Sequence, residues 1–256
     1  MHEVLRFDAV WKGFDRHHAH VPVVEELSLS IAEGEIVAVV AGAGQGKTTL
    51  IGLASGTLQP DRGRVQVNGV DVTQLKDSDV VRLLASEIGV ATRSGPAMNT
   101  SVREYVELAL GAPKDGRRRR WNARERCSMA AAILLELDIA ECAELRWEEL
   151  SDWQRVLVEL AQAVCVSPRL LLVDDIAHSF GLRQKQALMG VLEDLARERK
   201  CGVLMAVSDH AAALRSVRVW QLHRHRLRLM ADHTENDLDT ADDAEVIQLD
   251  RWSDAR

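Results

Sequence analysis

The segment Ala41-Gly-Ala-Gly-Gln-Gly-Lys-Thr-Thr49 has the residue types and spacing of a phosphate-binding turn. Small residues at Gly42, Ala43, Gly44 and Gly46, with Gln45 among them, let successive backbone N–H groups curl around an anion. The apolar run Glu35–Val40 before the turn reads as a strand. The segment Leu50–Ser55 after it reads as a helix whose N-terminus points at the same anion. In this arrangement Lys47 reaches the β- and γ-phosphates, Thr48 offers its hydroxyl to Mg²⁺, and Thr49 stands beside it. The usual motif opens with glycine; here that place is Ala41, which disfavours a positive φ if the turn needs one. A glycine-rich turn without a ligand is the plain alternative, and the Gly-Lys-Thr-Thr ending argues against it.

The elements that must position this turn follow from alternation and punctuation. Leu5–Trp11 and Leu27–Ile31 alternate like half-exposed strands, and Gly34 turns the chain into the strand before the loop. Between them, His17, His18 and His20 form either a metal-binding cluster or a polar hairpin loop, and no further ligand nearby favours the metal. Phe14 is placed to stack on an adenine or to pack in the core. Gln59–Gly63 reads as a turn, Arg64–Val67 as a short strand closing at Asn68-Gly69, and Asp71–Leu84 as a turn leading into a helix.

Composition bounds the rest. At 256 residues, with 46% hydrophobic and 28% charged residues, the chain suits one globular domain with a subdomain. Its four cysteines lack paired spacing, which argues against a zinc site or a disulfide framework. No leader-like start and no apolar run near 18 residues is present, so any membrane role is expected to come through a partner. The formal charge of −7 lies in residues 231–256, where nine acids meet Arg251 and Arg256. That end reads as a solvated tail, and the near-neutral body gives no electrostatic case for nucleic-acid binding.

With Asn68-Gly-Val-Asp-Val-Thr-Gln-Leu75, a helix and Ile88-Gly-Val90 in place, residues 4–230 resemble the nucleotide-binding subunit of an ATP-binding cassette (ABC) transporter. The run is most similar to the subgroup serving macrolide exporters, lipoprotein release and cell-division complexes. The resemblance implies an α/β P-loop NTPase of three layers. These are a RecA-like, mostly parallel sheet, an N-terminal antiparallel β-subdomain, and an inserted helical subdomain at about residues 94–164. Residues 1–230 would form the domain, with 231–256 as the acidic tail. A soluble translation or repair ATPase fits less well, since those proteins usually carry paired cassettes or long coiled-coil insertions.

The same resemblance implies roles residue by residue. Arg93 stands where the family's Q-loop glutamine contacts Mg²⁺, and a cation there would pair with phosphate or remain a solvated loop residue. Leu150-Ser-Asp-Trp-Gln154 stands for the signature, so Ser151 would grip the γ-phosphate of a second cassette. Asp152 puts a carboxylate where that anion sits, and Trp153 adds bulk at a place of close backbone approach. Leu170–Asp175 is the Walker B run, with Asp174 holding Mg²⁺ and Asp175 in place of the catalytic glutamate, one methylene shorter. The D-loop reads His178–Gly181, and the switch histidine falls at His210, or Asp209 stands in its place. Arg117–Arg124 is a solvated basic run or a face toward anionic headgroups or the partner's cytoplasmic loops. The implied protein binds ATP and Mg²⁺ on the cytoplasmic face, pairs as a homodimer or heterodimer with a second cassette, and serves a permease-type integral-membrane subunit. The altered signature, Q-loop and D-loop leave open slow hydrolysis or a regulatory subunit without useful turnover.

Overall fold

In the computed structural model, residues 2–16, 19–96, 99–111, 121–209, 213, 216 and 218–232 are described. The basic run through Arg120, His17, His18, His210 and the acidic tail from His233 lie outside them. Two sheets organise the fold. The first is antiparallel, ordered β2–β1–β4–β5, from β1 (Glu3–Arg16), β2 (Ala19–Ala32), β4 (Arg62–Val67) and β5 (Val70–Asp71). The second has six strands in the order β10–β9–β3–β8–β7–β6. Its members are β3 (Ile36–Val40), β6 (Ile88–Ala91), β7 (Leu170–Asp174), β8 (Gly202–Val207), β9 (Arg218–His223) and β10 (Arg226–Asp232). β6, β7, β8, β3 and β9 run parallel, and β10 turns back antiparallel on the edge, two residues past the expected boundary at 230.

Side-chain alternation along the central strands explains why they read as unbroken apolar runs. Successive residues of a strand face opposite sides. Ile36, Ala38 and Val40 join one core with Leu171, Val173, Val203, Met205 and Val207. Val37 and Val39 join the other with Leu170, Leu172, Leu204 and Ala206. A sheet covered on both faces has no solvent side on which to place polar residues. The second core also holds Phe7, Leu29 and Val65 of the antiparallel sheet and Leu50 and Leu53 of α1 (Lys47–Ser55). The first is closed by α3 (Val102–Leu110), α4 (Ala123–Glu136), α5 (Asp152–Val164) and α6 (Leu182–Arg199). The short helix α2 (Asp77–Leu84) precedes β6.

Each helix that carries a candidate site residue starts on a recognisable stop. Ser101 and Glu104 form a capping box for α3, and Ser151 and Gln154 form one for α5. α1 starts on Gly46 at φ +101, a backbone state that L side chains avoid. A Cβ on Gly46 would also lie 2.6 Å from the Val23 Cγ1 atom of β2. This glycine therefore sets how closely the loop packs on the antiparallel sheet.

Candidate functional site

The phosphate-binding turn leaves the carboxyl end of β3, between the parallel neighbours β8 and β9. In an α/β sheet this is where ligands bind. Gly44 (φ +72) and Gly46 supply the left-handed residues of the turn. Ala41 is not among the residues with positive φ, so the missing glycine at the motif's first place costs no backbone strain. Its N–H donates to the Val207 carbonyl at 2.9 Å, tying the turn to β8. Gln45 accepts from the Gly42 N–H at 3.0 Å through its side chain. Thr49 lies on the first turn of α1 beside Thr48.

Lys47, Thr48, Asp174 and Asp175 converge although 126 residues separate Thr48 from Asp174. Lys47 Nζ donates to the carbonyls of Ala41 (2.9 Å) and Gly42 (3.1 Å) and lies 3.6 Å from the Asp175 carboxylate. The Thr48 hydroxyl donates to Asp174 at 2.9 Å. Burial raises the Asp174 pKa and the neighbouring Asp175 carboxylate raises it further, against the lowering effect of the Thr48 hydrogen bond and the Lys47 charge. A hydroxyl and a carboxylate side by side form a hard oxygen donor set, which fits Mg²⁺.

Asp175 sits at φ +50, where a short polar side chain is tolerated by bonding locally. Its N–H donates to the Ala206 carbonyl at 2.8 Å. Its carboxylate accepts from the Ser208 N–H at 3.0 Å and from the Ser208 hydroxyl, just past the end of β8. His178 Nδ1 lies 3.9 Å from the same carboxylate. The next residue, Asp209, accepts from Lys185 of α6 at 2.6 Å. His210, the other residue considered for the switch, lies outside the described residues.

Three residues of the signature segment make local contacts. The Ser151 hydroxyl is engaged with Gln154, accepting from its N–H at 3.3 Å and donating to its side-chain oxygen at 2.9 Å. Asp152, on the first turn of α5, pairs with Arg155 at 3.3 Å, and a carboxylate there also suits the helix dipole. The Trp153 ring packs against Phe180 of the D-loop, with centroids 5.8 Å apart, and is partly buried on the core side of α5. Position two of a helix can face the core as readily as solvent, and an indole gains more from apolar contact.

The remaining candidates are dispersed. Arg93 is exposed in the loop after β6, lining a cleft with Trp147, Asp152, Arg155, Glu159 and Ser179. Phe14 lies on β1 opposite Val21, two residues from Val23, whose side chain abuts Gly46. Its ring carries the Lys12 ammonium at 5.4 Å. His20 bonds to Asp15 at 3.0 Å. Among the described residues no group of three or more potential metal ligands occurs, and all four thiols are free. No described helix is long and apolar enough to cross a membrane. Sequence reasoning missed Glu159, a carboxylate in the otherwise apolar core face of α5. Its signal was an acid within Val156-Leu-Val-Glu-Leu-Ala161.

Comparison with known proteins agrees with this geometry. The family model described as ABC transporter matches residues 24–178, more than half of the chain. The ABC transporter ATP-binding protein YtrE of Bacillus subtilis (strain 168) is 29% identical over 79% of this chain and 86% of its own. The lipoprotein-releasing system ATP-binding protein LolD of Colwellia psychrerythraea (strain 34H / ATCC BAA-681) is 25% identical over 93% and 90%. The dimeric structure of a post-hydrolysis state of the ATP-binding cassette MJ0796, bound to ADP and Pi, superposes with a TM-score of 0.81 at 20% identity. It covers 91% of this chain and all of that one. With the two-sheet architecture, the turn at the end of β3 and the matched family model, the chain belongs to the ABC transporter family.

Proposed function

We propose that this chain is the ATP-binding subunit of an ABC transporter, which binds MgATP on the cytoplasmic face and drives a permease-type membrane partner. Residues 1–230 would form the nucleotide-binding domain, and 231–256 an appended acidic segment. The observation that carries the reading is the convergence of Lys47, Thr48, Asp174 and Asp175 at the ends of β3 and β7. The glycine-rich turn, with Gly42, Ala43, Gly44, Gln45, Gly46 and Thr49, would wrap the phosphates in backbone N–H groups. Thr48 and Asp174 would hold Mg²⁺, which supplies neutralisation of phosphate charge when bound. Lys47 exchanges its carbonyl and carboxylate partners for phosphate oxygens. Asp175 then holds and deprotonates a water molecule for attack on the γ-phosphate. Arg93 contacts the γ-phosphate, Phe14 the adenine, and Ser151 the nucleotide of a second cassette paired head to tail. The Lys185 bond on Asp209 supports His210 as the switch residue.

Turnover is slow in this reading. The Asp175 carboxylate is already held by Ser208 and Lys47, and Asp152 places an acid on the face that must approach phosphate. The same observations favour a second reading, a regulatory subunit that binds ATP with little hydrolysis. Titration with a fluorescent ATP analogue and steady-state phosphate release test both. Lys47→Ala should abolish MgATP binding, and equal affinity for wild type and variant would overturn the assignment. Release of phosphate that stays at background, even after glycine is restored at 152 and 153, selects the regulatory reading.

A further inference from the structure

Among the described residues Glu159 is the only acid in the buried core, 3% exposed on α5 behind the signature. A carboxylate is taken out of water at high cost unless donors satisfy it. Here the donors are the Gly95 N–H at 3.0 Å and the Tyr105 hydroxyl at 3.2 Å. Gly95 belongs to the loop that carries Arg93 and follows it by two residues. An apolar side chain would fill the same space and leave the Gly95 amide without an acceptor.

The surroundings tighten the same loop. Gly95 has φ +64, and a Cβ there would lie 2.6 Å from the Trp147 ring. Trp147 meets Tyr105 edge-on at 6.3 Å and carries the Arg155 guanidinium over its face at 5.9 Å. The loop is thus fixed to Glu159 of α5 and packed on Trp147 in the turn before the signature. Its exposed arginine faces a cleft that it shares with Ile176 and Ser179, just beyond Asp174 and Asp175.

We propose that Glu159 is a positioning residue: by holding the Arg93 loop to the signature helix through the Gly95 amide, it presents the guanidinium to the γ-phosphate and so lets the site distinguish ATP from ADP. This inference rests on the ATP site proposed above. A guanidinium held by its loop loses less freedom on meeting an anion than one on a loose loop, so the bond gains in strength.

Equilibrium binding of ATP and ADP, each with Mg²⁺, tests this without requiring turnover. Arg93→Ala should cut the preference for ATP over ADP by roughly tenfold or more, the scale of a charge-assisted hydrogen bond. Glu159→Ala should cut it similarly while leaving ADP affinity within about twofold, and the double variant should be no worse than the poorer single one. Glu159→Gln, which keeps one acceptor oxygen, should fall between, and Tyr105→Phe should give a smaller loss in the same direction. Hydrogen exchange at Gly95 should speed up in Glu159→Ala and less in Glu159→Gln. Equal losses of ATP and ADP affinity would mean general structural damage and overturn the inference, as would losses that multiply in the double variant. If Arg93→Ala leaves the preference unchanged, the inference falls while the Lys47 site stands. If Lys47→Ala binds ATP like wild type, the ATP site itself fails.

Discussion

Replacing Asp152 by asparagine keeps the shape of the side chain and removes its charge, which isolates the electrostatic part of the altered signature. A phosphate about 4 Å from the carboxylate is repelled by about 4 kcal/mol at an effective dielectric near 20. Arg155 stands 3.3 Å from that carboxylate. At about 6 Å from the same phosphate its guanidinium returns about 2.8 kcal/mol, leaving a repulsion of about 1.4 kcal/mol. Asp152→Asn should therefore tighten self-association in a non-hydrolysable ATP analogue by up to about tenfold. Arg155→Gln, which leaves the acid uncompensated, should weaken it by up to about a hundredfold. Asp152 is 72% exposed, so solvent screening makes both figures upper limits. Sedimentation or sizing over a concentration series reads the effect, and both differences should shrink between about 0.05 and 1 M salt as the Debye length falls. Identical association in wild type, Asp152→Asn and Arg155→Gln, or differences indifferent to salt, would refute this reasoning.

Other expectations follow from contacts around the site. Asp175→Glu should lower unfolding stability by about 1–2 kcal/mol, because a longer side chain at this left-handed position cannot keep both Ser208 bonds; urea melting of the variant beside Ser208→Ala checks it. Trp153→Ala should cost about 2 kcal/mol through lost burial and the contact with Phe180, read as a fall in melting temperature. Burial raises the Glu159 pKa, the Tyr105, Thr92 and Gly95 hydrogen bonds opposing it. A carboxyl whose folded pKa lies above its unfolded value contributes stability at low pH that is lost as pH rises through the folded value. The stability of Glu159→Gln relative to wild type should therefore climb as pH rises above the ordinary glutamate range, and a flat difference across that range would contradict the shift.

The parts legible in the sequence are those where backbone geometry or sheet burial dictates residue type. Gly44 and Gly46 had to be glycine-like because the turn uses left-handed φ. β3, β7 and β8 had to be apolar because both faces of the sheet are covered. Asp152 and Arg155 are three apart on a helix, a spacing that permits their pair. The inward turn of Trp153 was not legible, because it depends on Phe180, 27 positions away in sequence and brought close only by the packing of α5 on the D-loop. Glu159 was hidden for a similar reason. An acid on an apolar helix face looks like an interruption until the Gly95 amide and the Tyr105 hydroxyl arrive from other elements.

The contacts of Lys47 bear on how a nucleotide is captured. Its side chain is only 10% exposed, and two carbonyls and the Asp175 carboxylate already satisfy its ammonium. Nucleotide capture is therefore a substitution in which phosphate must outcompete internal ligands, and measured affinity reports the difference between two occupied states. The displaced ligand is the carboxylate assigned to the attacking water. As phosphate draws the ammonium away, the Asp175 carboxylate is released from its cation toward the water it is proposed to hold.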